Sequence, residues 1–69
     1  MSTLDKTVVI ITAVGQVSDA PKNKSGKVHG KRLRNICEQA VTALVEAGEE
    51  EALARAEILV LFSRMHVMA

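Results

Sequence analysis

From Leu33 to Ala47 apolar residues recur at intervals of three and four: Leu33, Ile36, Cys37, Ala40, Val41, Leu44 and Ala47. At about 100° per residue they share one arc of a helix. Arg34, Asn35, Glu38, Gln39, Thr42 and Glu46 fill the opposite arc. An amphipathic helix over 31–47 must bury that stripe against another element, and this constrains the chain more than any other feature. Gly48 follows the last periodic residue, where a left-handed C-cap is least costly for glycine. A second helix over 49–68 opens with Glu49, Glu50 and Glu51, carboxylates that suit the positive end of a helix dipole. So short a connection predicts antiparallel neighbours, a two-helix hairpin.

The second helix has no single dry stripe. Leu53 and Val60 project to one side, Ile58 and Phe62 to nearly the opposite side, with Leu59 and Leu61 between them. A helix apolar all round must be covered all round, and the first helix covers only one side. The chain is a single small domain, 1–69, and at this length only about 60% of the unfolded surface is buried, so a lone core is marginal. One cysteine excludes an internal disulfide, and Cys37 lies on the apolar stripe, the place of a buried thiol. His29, Cys37 and His66 lack zinc-site spacing. Phe62 is the sole aromatic residue, which removes the usual source of core area. Oligomerisation is the remaining supplement. Val9, Ile11, Ile58, Leu61, Phe62 and Met65 are the candidate contacts with a second copy or with a protein partner.

Thr7–Val14 is dense in β-branched residues and apolar on both faces, and it reads as a strand over 7–14 ended by Gly15. A strand needs a pairing partner for its backbone, and the same segment of a second subunit is the best one available. A helix is the competing reading: Ser2 and Asp5 have capping-box spacing, and Leu4, Val8 and Ile11 would share a face. Residues 16–30 form a loop by composition. The expected fold is therefore α+β: a short apolar N-terminal strand, a basic loop and an antiparallel helical hairpin, assembled as a dimer or higher oligomer.

The net charge of +1 conceals a polarity along the chain. Lys22, Lys24, Lys27, Lys31, Arg32 and Arg34 occur with no acid between Asp19 and Glu38, whereas Glu38–Glu57 carries six glutamates against Arg55. Those six cations are the candidate site for nucleic acid or a phosphorylated ligand. Lys31, Arg32 and Arg34 stand in the first turns of a helix, the unfavourable end for positive charge, which hints at a use other than stability. No aromatic residue interleaves them, so stacking on single-stranded bases is not expected.

The order strand, helix, glycine turn, helix resembles that of ribbon-helix-helix repressors, which place a two-stranded ribbon in the major groove. The resemblance is one of element order: Thr7–Val14 lacks the polar face such a ribbon reads with. A phosphate-binding loop laid on Gly26 and Lys27 would need glycine at Pro21 and Ser or Thr at Val28. Ser63 and His66 have no acid placed to orient the histidine, so no catalytic group is assigned. No metal or cofactor is implied. The start Ser2, Thr3, Leu4, Asp5 is not an export signal, and no apolar run approaches the roughly 20 residues of a membrane span. With a free thiol, this points to a cytoplasmic setting. The expected function is that of a small non-enzymatic oligomeric regulator or inhibitor, binding a macromolecular partner through an apolar helix face and the basic loop. Nucleic-acid or phosphate-ligand binding through Lys22–Arg34 is the alternative, and a structural subunit of an assembly the second.

Overall fold

The computed structural model of the chain describes residues 5–68. Ser2, Thr3 and Leu4, which enter the capping-box spacing and the export-signal reading, lie outside them. Three helices follow one another: α1 over Lys6–Asp19, α2 over Gly30–Glu46 and α3 over Glu51–Arg64. Among the described residues there is no strand beyond an isolated bridge between Lys22 and Val28. This overturns the α+β expectation. The domain has three helices where a strand and a two-helix hairpin are expected, and the ribbon-helix-helix order goes with the strand. Pairing of 7–14 with its copy is lost for the same reason.

The N-terminal segment is helical because its backbone then satisfies itself, where a strand would leave a full row of groups unpaired. Asp5 supplies the N-cap, its carboxylate accepting from the Thr7 amide at 2.7 Å. Val9, Ala13 and Val17 fall on one face and are buried, at the three-four spacing a helix needs. The β-branched residues are poor helix formers, but the preference is a few tenths of a kcal/mol per residue and a buried face exceeds it. Gly15 does not end the element; it lies inside α1. The stop comes at Ala20, extended ahead of Pro21.

The helices are arranged around α2. Ile36, Ala40 and Ala43 turn towards α1, Leu33, Cys37 and Val41 towards α3, and Leu44 is fully buried. Gln16 lines one groove with Gln39, and Val8 lies beside Ala43, so α1 and α2 run in opposite directions. Glu38 reaches Arg55 and the Val28 amide reaches the Val67 carbonyl at 3.0 Å, which sets α3 antiparallel to α2 as well. α1 and α3 thus both pack on α2, and Ile10 of α1 shares a groove with Ala56 and Leu61 of α3.

Gly48 makes the turn between α2 and α3. It has φ of 104°, its amide donates to the Val45 carbonyl, and the Glu49 amide donates to Leu44, both at 3.0 Å. That is a Schellman motif, with glycine at the left-handed position. α3 is shorter than the expected 49–68. It stops at Arg64 because His66 takes a left-handed φ of 57° and turns Val67 back into the core. Leu44 is fully enclosed. Leu44→Ala is expected to cost about 3 kcal/mol, most of what a domain of this size has. Leu53→Ala, on the exposed side of α3, should stay within about 0.5 kcal/mol. Urea denaturation followed by circular dichroism measures both.

Candidate functional site

The six expected cations fall into two groups. Lys22 bends back over the end of α1 and donates from Nζ to the carbonyls of Val17, Ser18 and Ala20 at 2.7, 3.0 and 2.7 Å. These carbonyls are the orphans of a helix C-terminus, and an ammonium is the favourable charge there. Lys27 does the same for α3, donating to the His66 carbonyl at 2.8 Å. Both lysines finish helices. Lys24, Lys31, Arg32 and Arg34 are exposed, and among the described residues their side chains make no hydrogen bond or ion pair.

The loop that carries the lysines is shorter and more ordered than the expected 16–30. It runs from Ala20 to His29 and closes on Asn23, whose Oδ1 accepts from the amides of Ser25 and Lys27 at 2.9 and 3.0 Å. Gly26, at φ of 78°, completes the turn. His29 caps α2, its Nδ1 accepting from the Lys31 amide at 3.3 Å. Lys31 and Arg32 therefore stand in the first turn of α2, with no acid in that turn to offset them. Beside them an open groove of about 830 Å³ runs between the end of α1 and the start of α2, lined by Gln16, Asp19, His29, Arg32, Asn35 and Gln39. It is a polar, cation-bearing surface formed by two helices, and the loop only closes one end of it.

The expected contact residues also divide. Val9, Ile58 and Phe62 are enclosed by the chain itself and cannot meet a second molecule without unfolding. Leu61 and Met65 are half-buried at the edge of the core, and Ile11 is 64% exposed. Besides Ile11, the exposed large apolar residues are Val8 on α1, Val45 on α2, Leu53, Leu59 and Val60 on α3, and Met68 beyond it. Leu53 and Val60 form the arc opposite Ile58 and Phe62, so the periodicity of α3 held the signal. Which arc would be covered depended on where α1 lay.

Cys37 is buried, and that burial pushes its thiol up, with Glu38 adding to the effect. It is a packing residue with no nucleophilic character. Among the described residues no three His, Cys, Asp or Glu side chains stand where a metal could be held, and no helix is long and apolar enough to cross a membrane. Arg55 makes a two-pronged ion pair with Glu38 across α2 and α3. Both groups are exposed, so the pair aligns the helices more than it stabilises them.

Glu49 is the one buried acid among the described residues. It accepts the Lys6 ammonium at 3.2 Å, while its Oε1 has no partner. The neighbouring Glu57 carboxyl, which can carry a proton towards it, and the Lys6 ammonium hold Glu49 below the ordinary carboxylate value of 4.5 against the effect of burial. The same contact pushes Glu57 up. No protein-family model matches the chain, and no curated protein or solved structure does either.

Two outcomes follow from this electrostatic layout. Lys22→Met should lower stability by about 1–2 kcal/mol, a fall of roughly 5–10 °C in Tm, whereas Lys31→Met should leave it unchanged or raise it slightly. As pH falls from neutral, Glu57 should take up its proton first and relieve its repulsion with Glu49, so Tm rises a little. Below about 4.5, protonation of Glu49 removes its pairing with Lys6, and Tm falls. Thermal melts across this range should show Glu57→Gln abolishing the rise and Glu49→Gln abolishing the acid fall.

Proposed function

We propose that this chain is a small non-enzymatic oligomeric regulator that binds an anionic macromolecular partner through the exposed start of α2. One observation carries the reading: Lys31 and Arg32 stand in the first turn of α2 beside the groove with α1, and Arg34 in the next turn on the α3 side, all exposed and, among the described residues, without a hydrogen bond or ion pair, while Lys22 and Lys27 satisfy helix ends. Cations so placed weaken the helix slightly. A compensating partner explains their position, and the partner must bring negative charge.

A nucleic-acid backbone and an acidic protein face both meet that requirement. The polar groove beside Arg32 offers Asn35, Gln39 and Gln16 as hydrogen-bonding groups to either. Phe62, the sole aromatic residue, is enclosed in the core, which argues for phosphate contact over base stacking if nucleic acid is the partner. The apolar aliphatics of α1 and α3 lie on other surfaces and serve association of the chain with itself.

The test is a triple reversal, Lys31→Glu, Arg32→Glu and Arg34→Glu, assayed against a random-sequence DNA duplex and against polyglutamate over rising salt. Wild type should bind at least one of them with steep salt dependence. On the duplex the salt slope should fall by about one for each phosphate contact removed. The variant should melt no lower than wild type, because carboxylates suit the start of a helix. Equal binding by wild type and variant, or no binding by wild type to either polyanion, would overturn the reading.

A further inference from the structure

The outer face of α3 is apolar and uncovered. Leu53 is 54% and Val60 53% exposed, while Ile58 and Phe62 on the opposite side are closed off at 0% and 1%. Beside that apolar stripe, on the same outward side, stand Glu57 and Arg64. An open groove of about 460 Å³ adjoins them, lined by Ile10 from α1 and by Ala56, Val60 and Leu61 from α3. The face therefore consists of aliphatic residues with one acid and one base set two helical turns apart, a rise of about 10.5 Å.

That arrangement complements itself. We propose that a second copy of this chain covers the face, with α3 packed antiparallel against α3 across a twofold axis, Glu57 of each copy meeting Arg64 of the other. The inference rests on the oligomeric part of the function proposed above and is independent of the basic start of α2. The register that pairs these charges puts the axis midway between them, at Val60 and Leu61, so Val60 meets its copy near the axis, the ion pairs stand about 5 Å to either side of it along the helix, and Leu53 lies about 11 Å out, at the end of the contact. Under such an axis both charges lie on the same side of the contact, as pairing requires. A parallel arrangement would set Glu57 against Glu57 and Arg64 against Arg64, and the charges oppose it. The approaching Arg64 of the second copy also meets the Glu57 that Glu49 crowds within its own chain.

Sedimentation equilibrium decides the matter. Wild type should be a dimer at micromolar concentration. Val60→Asp should be monomeric while keeping the helical circular dichroism of wild type, because Val60 contributes nothing to the core. Glu57→Arg alone should weaken association about tenfold by setting like charges together, and Arg64→Glu alone should do the same. The double exchange of Glu57→Arg with Arg64→Glu should restore it to within about threefold of wild type. A wild-type dimer that survives Val60→Asp, or a double exchange as weak as the singles, overturns this interface and leaves self-association by another face. A wild type that stays monomeric at hundreds of micromolar overturns the oligomeric reading as well.

Discussion

Everything in this domain depends on the buried stripe of α2. Leu33, Ile36, Cys37, Ala40, Val41 and Leu44 form a surface wide enough to receive two helices, and both α1 and α3 pack on it. Because α1 and α3 each find most of their packing on α2, neither has a core without it. A chain of this length has no second cluster to fall back on, and the Schellman turn at Gly48 and the caps at Asp5 and His29 work only to bring helices onto that one stripe. The cooperative unit is therefore the whole domain.

The charged residues serve two different purposes, and the distinction is one of geometry. Lys22 and Lys27 bind carbonyl oxygens at the ends of α1 and α3, and Lys6 binds the buried carboxylate of Glu49. Each relieves a group that folding would otherwise leave unsatisfied. Lys31, Arg32 and Arg34 make no hydrogen bond or ion pair among the described residues, and Lys31 and Arg32 sit where a helix tolerates cations least. A stability-driven sequence would carry acids there, as α3 does with Glu51. The contrast between the two helix starts is the basis for assigning a binding role to one of them.

The same reasoning applies to apolar groups. Phe62 and Ile58 contribute to the core, while Leu53 and Val60, on the same helix, contribute nothing to the isolated chain. Single exposed aliphatics are ordinary on any protein surface. Val60 on the outward stripe, with an acid and a base set on either side of it along the helix, forms a pattern that a second copy completes.

The composition and spacing of 31–48 held the amphipathic stripe, the glycine turn and the acidic start of the following helix, because these depend on local periodicity and on backbone angles that few residues adopt. Residues 7–14 were different. Their β-branched side chains favour a strand, and only the presence of α2's open face made Val9, Ala13 and Val17 a helical stripe with something to bury against. The roles of Lys22 and Lys27 were equally hidden, since nothing in a run of lysines tells which ammonium reaches a carbonyl. The sequence by itself determined that the chain has one amphipathic helix, a turn after it and more apolar surface than that helix can cover. The tertiary structure decided which arc of α3 is dry, which lysines are free and that the first segment is a helix, because each of these follows from where neighbouring helices lie, and no local pattern encodes that.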